Sequence, residues 1–145
     1  SSANAWGDRY IGYEKALNEA GIPVDEDLVY FEGLKVKSGY VASEKFLASG
    51  KNFDGIICAS DEIAMGAING LREKGVNTPE DVSVIGFNDN VVASYFYPKL
   101  TTVKQPSYDM GSVAMRMLIK ILNNKPLEEA EFILNHELIE RESCK

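Results

Sequence analysis

Residues 82–106, VSVIGFNDNVVASYFYPKLTTVKQP, decide the fold of this 145-residue chain. The segment starts as an apolar strand and ends in Asn88, Asp89 and Asn90, after which an aromatic-rich loop leads to a second extended run at Leu100. An apolar strand with hydrogen-bonding groups at its carboxyl end is how open α/β sheets build ligand sites. We therefore expect a buried strand of a parallel sheet, with a ligand at its carboxyl end.

A second strand end of the same kind lies upstream. Residues 55–59, GIICA, are apolar on both faces, as expected of a parallel strand covered by helices, and they run into Ser60 and Asp61. Ser60 is an ordinary helix N-cap, and an acid in the first helical turn is stabilised by the helix dipole. Asp61 is therefore open to two interpretations, a helix-terminus residue or a ligand-binding residue. Two strand ends side by side predict a binding crevice.

The whole chain alternates predicted helices and strands. Helices are predicted over residues 8–20, 38–48, 60–75 and 107–123. Strands are predicted over residues 28–31, 55–59, 82–87, 100–105 and 132–141. The first three strands start 27 residues apart, a spacing that fits strand–loop–helix units. The predicted fold class is therefore α/β, with a mostly parallel sheet.

The composition argues against several classes of function. The net charge is −7 and the 15 Lys and Arg residues are scattered, whereas nucleic-acid binding needs clustered basic residues to contact phosphates. No apolar run approaches the roughly 18 residues of a membrane span, and no export signal is visible at the start. Cys58 lies in an apolar strand and Cys144 is next to the last residue, so we expect no disulfide and a reducing, cytoplasmic compartment.

No catalytic, metal or cofactor motif is found. The sequence contains no G-x-S-x-G, P-loop or G-x-G-x-x-G pattern. His136 is the single histidine of the sequence and has no Cys or carboxylate partner at metal-ligand spacing. We therefore expect a binding domain rather than an enzyme, with no cofactor.

Two apolar features predict partner structure outside this chain. Residues 107–123 show the clearest helical pattern, and the upstream elements have few faces left to cover their wide apolar stripe. Tyr95, Phe96 and Tyr97 precede Pro98 and cannot all point inward, so they are either loop anchors or an interface. An open α/β sheet also normally begins with a strand, whereas this chain begins with a loop and a helix.

Together these segments resemble the lactose/galactose-repressor (LacI/GalR) family of bacterial transcription regulators. The resemblance is carried by residues 53–66 (FDGIICASDEIAMG), 79–89 (PEDVSVIGFND) and 100–106 (LTTVKQP). The helix after the third motif is also similar to the family pattern, as are residues 9–17 within the first predicted helix. The resemblance covers essentially the whole chain.

The resemblance implies a periplasmic-binding-protein-like (type I) fold, in which a small molecule is held between two three-layer α/β/α lobes. Residues 1–145 correspond to the C-terminal lobe, including helix 107–123, which normally crosses back to pack on the N-terminal lobe. The DNA-binding head, the N-terminal lobe and the first strand of this lobe are expected to be missing, so the chain resembles a truncated fragment. Operator DNA would be bound only through the missing head.

The resemblance also implies the ligand-binding residues Arg9, Leu34, Ser60, Asp61, Asn88 and Asp89. Arg9 matches a family arginine that reaches effector hydroxyls or carboxylates, and Asp61 matches a strand-end aspartate. Asn88 stands where most relatives have the first acid of an Asp-Asp pair, a change that removes a charge and keeps hydrogen-bonding capacity. Leu34 stands where relatives often have an aromatic platform, so one stacking face for a sugar is lost.

A homodimer is implied as well, with the interface residues Ala64, Ile68, Val92, Tyr95, Phe96 and Tyr97. The expected effector is a sugar, a phosphosugar or a related small metabolite. A phosphorylated carrier protein acting as co-regulator is the other expectation, as in some relatives. No membrane partner is expected.

Two further interpretations stay open. An exported sugar-binding protein of a transporter shares the fold, although residues 100–106 are of the regulator type and no export signal is visible. A receiver-type phosphorylation domain would hold Mg²⁺ with strand-end acids. That domain needs paired acids on a first strand and a strand-end lysine, and the expected lysine is missing from this sequence.

Overall fold

The helices and strands alternate along the chain in the computed structural model, which describes residues 5–145, with side chains from Gly7 onward. The helices are α1 (Ala5–Glu19), α2 (Val36–Ala48), α3 (Asp61–Glu73) and α4 (Ser107–Leu122). The strands are β1 (Gly55–Ile57), β2 (Ser83–Asn88), β3 (Thr101–Lys104) and β4 (Glu137–Ile139). Two short 3₁₀ helices are Glu26–Leu28 and Val91–Ser94. The four predicted helices are confirmed, with ends that differ by a few residues.

The four strands form one sheet in the order β1-β2-β3-β4. β1, β2 and β3 are parallel, with Gly55 opposite Ser83 and Ile85 opposite Thr101. β4 is antiparallel to β3. Parallel neighbours need a crossover connection, and α3 supplies it between β1 and β2. The carboxyl ends of the three parallel strands therefore meet at one edge of the sheet, as the sequence predicts.

The core lies between α3 and one face of the sheet. Ala67, Ile68 and Leu71 of α3 are at most 1% exposed, and they pack with Val84 of β2 and with Leu100. These α3 positions recur at helical spacing, so one apolar stripe faces the sheet. Burial of this stripe is the main stabilisation of the fold, since each fully buried aliphatic side chain contributes roughly 1.5–3 kcal/mol.

Helix α2 packs so closely along α3 that the two backbones touch. A Cβ added at Gly39 would collide with the backbone of Ile63, and one added at Gly66 would collide with the backbone of Val36. Glycine is needed at both positions because any side chain there would push the helices apart. This contact fixes α3, and with it the helix N-terminus that borders the strand ends.

The strand predicted over residues 28–31 does not form in the described structure. Its place is taken by the 3₁₀ helix Glu26–Leu28 and an unpaired segment, in which the Phe31 ring packs edge-on against Tyr10 at 5.0 Å. An extended segment becomes a strand only when a neighbouring strand takes its backbone hydrogen bonds. The described sheet starts at β1, so the prediction was wrong because the segment has no such neighbour.

Strand β1 is apolar on both faces, but only one face is covered. Ile56 packs against the core, whereas Ile57 points to the opposite face and is 67% exposed. The expectation that helices cover both faces of residues 55–59 is therefore wrong at Ile57 within the described residues. Cys58 is buried as expected, and desolvation raises the pKa of its thiol to about 12.

The C-terminal segment joins β2 to β3 at their amino ends. Of the strand predicted over residues 132–141, only β4 pairs with β3. Beyond it, the Oγ of the fully buried Ser143 accepts a hydrogen bond from the Thr101 N–H at 2.8 Å and donates to the Val84 carbonyl at 2.6 Å. The Ser143 carbonyl accepts from the Val84 N–H at 2.8 Å. A single serine therefore pairs backbone groups of two strands.

Helix α4 extends away from the core, and none of its residues is buried. Its exposed large hydrophobic residues are Tyr108, Met110, Met115, Leu118, Ile119, Ile121 and Leu122. The described residues therefore leave the apolar stripe of α4 uncovered, as the sequence led us to expect. Within residues 5–145, no helix is both long enough and apolar enough to cross a membrane.

Candidate functional site

The candidate site is the turn formed by residues 88–90, here called the strand-end turn. It follows β2 at the carboxyl edge of the parallel strands, and the last residue of β2, Asn88, lies opposite Lys104 of β3. Asp61, the first residue of α3, lies beside it and contacts both the turn and β3. The two strand ends that the sequence predicts to be neighbours therefore meet in a single cluster of polar residues, and a binding crevice there stays a prediction.

Asp61 is fully buried and uses both carboxylate oxygens within the chain. Its Oδ1 accepts from the Thr102 hydroxyl at 2.5 Å, and its Oδ2 accepts from the Asn90 N–H at 2.6 Å. Desolvation raises the pKa of the Asp61 carboxyl, and these two hydrogen bonds oppose that rise. The residue therefore connects α3, β3 and the strand-end turn, and it supports the turn from beneath.

Ser60 is the N-cap of α3, as predicted. Its Oγ accepts from the Ile63 N–H at 3.3 Å, and the side chain is 5% exposed. The residue that caps α3 is therefore Ser60 rather than Asp61. Because Ser60 holds the first turn of the helix, it fixes the position from which Asp61 reaches the strand-end turn.

The strand-end turn has a backbone that most residues avoid. Asn88 has φ of 110° and Asp89 has φ of 57°. Non-glycine residues at positive φ are uncommon, and such strained positions persist only when surrounding contacts determine them. Here Asp89 N–H donates to the Thr102 hydroxyl at 3.4 Å, and the Asn90 side-chain amide donates to Glu62 Oε1 at 2.8 Å. The turn is therefore held from several directions.

Arg141 provides a further contact that the sequence did not reveal. Its Nη2 donates to Asp89 Oδ1 at 2.6 Å, and the two side chains are only 17% and 16% exposed. The residues are 52 positions apart, and nothing in the local pattern around Arg141 marks it as a site residue. Only the tertiary structure, through the C-terminal segment, brings it to the strand-end turn.

Arg9 reaches the site from α1. Its Nη1 donates to the Ala59 carbonyl at 2.5 Å, and its guanidinium lies over the Phe87 ring at 3.8 Å from the centroid. Ala59 follows β1 and Phe87 precedes Asn88, so the cation lies across the ends of both strands. Partial burial lowers the pKa of Arg9, while stacking on the aromatic face stabilises its charge.

The structure brings Arg9, Ser60, Asp61, Asn88 and Asp89 to one edge of the sheet. Leu34 lies in the exposed loop before α2 and is 54% exposed. Its role in ligand binding stays a prediction, since no contact of the described residues connects it with the strand-end turn.

The predicted interface residues divide into two groups. Ala64 is 0% and Ile68 is 1% exposed, and both belong to the core of this chain, so the prediction that they form a subunit contact is wrong. Their helical spacing reflected packing on the sheet rather than on a partner. Val92, Tyr95 and Tyr97 are 48%, 84% and 79% exposed, and they stay a predicted interface.

Phe96 has an intermediate position. It is partly buried and packs against the core cluster, so it anchors the loop that carries its exposed neighbours Tyr95 and Tyr97. The loop-anchor interpretation therefore applies to Phe96, whereas the interface interpretation stays a prediction for Tyr95 and Tyr97. The loop starts from Asn90, which is also part of the strand-end turn.

The chemistry of the site is that of a polar binding surface. Asn88 offers an amide that can donate and accept, and no described residue lies within hydrogen-bonding distance of it. Arg9 adds a cation at the same edge. Among residues 5–145, no group of three or more His, Cys, Asp or Glu side chains is placed to hold a metal ion.

The chain matches the periplasmic binding protein-like domain over residues 2–144, and it belongs to that family. Its sequence and its fold align with the C-terminal effector-binding region of LacI-family transcription regulators. The resemblance and the fold class predicted from the sequence motifs are thereby confirmed.

Three related proteins define the comparison. The HTH-type transcriptional regulator RegA of Clostridium saccharobutylicum is 66% identical over 140 residues, which are 97% of this chain and 42% of that protein. The structure of CcpA of Lactococcus lactis has a TM-score of 0.88 and 36% identity, over 96% of this chain and 51% of that chain. A complex of the transcriptional regulator CelR with cellobiose has a TM-score of 0.88 and 35% identity, over 93% of this chain and 41% of that chain. The chain thus spans less than half of the curated relative that it matches.

Proposed function

We propose that this chain is the effector-binding lobe of a LacI-type transcription regulator and that it holds a small polar effector at the strand-end turn. The observation that carries the proposal is the half-buried amide of Asn88 on a strained turn, whose neighbours Asp89 and Asn90 are hydrogen-bonded within the chain. A backbone strained in this way at a sheet edge is typical of a binding site. Arg9 lies beside it and supplies a second directional contact.

The residues of the site have different proposed roles. Asn88 and Arg9 contact the effector, because both are half-buried polar residues at the carboxyl edge of the parallel strands. Asp61 and Ser60 position the turn and the helix from beneath, and Asp89 holds the turn through Arg141. The function is binding without catalysis.

The proposed effector is a sugar or a phosphosugar. The related CelR structure contains cellobiose, and sugar hydroxyls both donate and accept hydrogen bonds, as the Asn88 amide does. A phosphorylated carrier protein is the second candidate, which Leu34 supports because an aliphatic side chain there offers no stacking face for a sugar ring. The regulator names of the relatives favour this class over an exported transport protein.

Regulation would proceed by a population shift. An effector that binds closed lobes better than open lobes biases the protein toward closure, and closure changes the spacing of paired DNA-binding heads. In this proposal α4 packs its uncovered apolar stripe on the second lobe, and Val92, Tyr95 and Tyr97 contact a second subunit. Operator DNA binds through the head rather than through this lobe, and the protein acts in the cytoplasm.

The proposal predicts that Asn88→Ala in the full-length protein removes the effector response without unfolding the lobe. The test is a thermal-shift screen of the wild type and the variant with cellobiose, ribose and glucose 6-phosphate. A ligand at 100 times its Kd stabilises the folded state by about 2.7 kcal/mol, so the wild type shows a clear rise in Tm. Asn88→Ala is expected to lose most of that rise, since its substitution removes a group that binds only the ligand.

The matched control is Asn52→Ala, because Asn52 is exposed and precedes β1, at the edge of the sheet opposite the strand-end turn. This variant is expected to respond as the wild type does. An equal ligand response in Asn88→Ala and the wild type would contradict the role of the strand-end turn. A wild type that responds to none of the three probes would contradict the proposed effector class.

A further inference from the structure

Arg141 is fixed in place independently of the residue that it contacts. Its backbone N–H donates to the Thr101 hydroxyl at 2.9 Å, and its Nη1 donates to the Leu100 carbonyl at 2.8 Å. Thr101 is the first residue of β3 and Leu100 directly precedes it. β3 lies between β2 and β4 in the sheet. The other terminal nitrogen, Nη2, donates to Asp89 Oδ1. Arg141 is therefore the anchor of this pair, and Asp89 docks on it.

The strand-end turn needs such an anchor. Asn88 and Asp89 both have positive φ, which costs free energy that the surrounding contacts must offset. Asp61 holds the end of the turn through the Asn90 N–H. Arg141 holds the middle of the turn through the Asp89 carboxylate, by a charge-assisted hydrogen bond in a mostly buried setting. Neither contact uses the Asn88 side chain, which is half-buried at the same edge.

We propose that Arg141 is a positioning residue of the effector site, which fixes the left-handed conformation at Asp89 and thereby aims the Asn88 amide. The inference rests on the proposed function, because it assigns Asn88 the contact with the ligand. It places the specificity of the site partly in the C-terminal segment, far in sequence from the strand ends. A planar guanidinium suits this role better than an ammonium group, since lysine can pair with the Asp89 carboxylate but cannot hold the Leu100 carbonyl and that carboxylate with the same fixed geometry.

The first test follows Asn88 without any ligand, in full-length protein labelled with ¹⁵N at asparagine. The Asn88 signals are assigned by their loss in Asn88→Asp. We expect Arg141→Met and Arg141→Lys to shift or broaden the backbone and side-chain signals of Asn88, because the turn loses its anchor. The matched control is Glu142→Gln, which breaks the exposed pair with Lys99 on the same segment and is expected to leave these signals unchanged.

A glycine at position 89 separates positioning from general stability. Glycine adopts positive φ at no steric cost, so Asp89→Gly keeps the turn accessible without the carboxylate. In that background Arg141→Met is expected to cause no further change at Asn88, because Arg141 acts through Asp89. An additional change of the same size as in the wild-type background would overturn the proposal, as would unchanged Asn88 signals in both Arg141 variants.

The second test measures affinity for cellobiose and glucose 6-phosphate by calorimetry. Loss of a charge-assisted hydrogen bond that orders a binding residue is expected to weaken binding about tenfold or more, with partial recovery in Arg141→Lys. Equal affinity in the wild type and Arg141→Met would overturn the positioning role. If neither probe binds to the wild type, the proposed effector class fails, while the Asn88 signals still decide the role of Arg141.

Discussion

Two polar side chains at the same sheet edge differ in how far they are hydrogen-bonded within the described residues. The Asp61 carboxylate is buried and its two oxygens accept hydrogen bonds from Thr102 and Asn90, so it determines where the turn lies. The Asn88 amide has no such partner among the described residues, and it lies on a strained backbone. A buried acid is costly unless it is hydrogen-bonded, which explains why Asp61 is so fully engaged. The sequence predicted that both residues lie at the strand ends. It did not reveal that Asp61 is hydrogen-bonded within the chain, whereas Asn88 is the residue proposed to contact the effector.

Asp61→Ala is expected to destabilise the lobe by about 2 kcal/mol at pH 7, because it leaves the Thr102 hydroxyl and the Asn90 N–H without their acceptor. The measurement is urea unfolding followed by circular dichroism. Asp54→Ala is the matched control, since Asp54 is exposed, and it is expected to change stability little. A stability loss no larger than that of the control would contradict the supporting role of Asp61.

The pH dependence of unfolding, compared between the wild type and Asp61→Ala, tests the raised pKa of the Asp61 carboxyl. A carboxyl with a folded-state pKa above its unfolded value binds its proton more tightly in the folded protein. Its stabilising effect is therefore complete below the unfolded value of about 3.8 and is lost as the pH rises through the folded-state pKa. The difference in unfolding free energy between the wild type and Asp61→Ala is thus expected to be larger at pH 5 than at pH 7. A difference that shrinks on acidification would show that the carboxylate is net stabilised by its hydrogen bonds.

At the scale of elements, the sequence predicted the helices and strands that depend on interactions between residues close together in the chain. The helices and the strands that became β1, β2 and β3 were predicted because their apolar periodicity and caps are encoded over a few residues. The predicted strand at residues 28–31 failed because a strand also needs a neighbour. Ala64 and Ile68 were assigned to a subunit contact because an apolar helix face does not reveal whether it covers a sheet or a partner.

The contacts that Arg141 and Ser143 make in the C-terminal segment could not be predicted from the sequence alone. Arg141 and Ser143 act through partners more than 40 residues away, and neither has a local signature. A serine near a chain end would ordinarily be taken as solvent-exposed, yet Ser143 is completely buried between β2 and β3. Such residues are recognised only when the sheet topology is known.

Ser143→Ala is expected to destabilise the lobe by about 2 kcal/mol, because it leaves the buried Thr101 N–H and the Val84 carbonyl each short of a partner. Urea unfolding of purified variants measures the effect. Ser107→Ala serves as control, since the Ser107 hydroxyl is exposed and makes only a 3.5 Å contact with Gln105. Equal stability of the two variants would show that Ser143 is not a structural link between the strands.

At the scale of the whole molecule, one continuous segment carries three surfaces. Residues 88–90 form the proposed effector contact, and the 3₁₀ helix Val91–Ser94 begins the exposed aromatic loop immediately after it. Helix α4 then presents the uncovered apolar stripe. Asn90 belongs to the strand-end turn and also starts the aromatic loop. Under the proposed function, a change in the turn on effector binding would therefore be passed directly to the loop proposed to contact a second subunit.

Tyr95→Asp is expected to weaken dimerisation of the full-length protein at least tenfold, because it places a charge in the apolar surface proposed to meet the second subunit. Sedimentation equilibrium at several concentrations measures the dimer dissociation constant. The matched control is Tyr108→Asp on α4, since Tyr108 is 88% exposed and Tyr95 is 84% exposed. We expect the Tyr108 variant to dimerise normally, because the α4 stripe is assigned to the second lobe of the same subunit. If Tyr108→Asp dissociates the dimer and Tyr95→Asp does not, the assignments of the two surfaces must be exchanged.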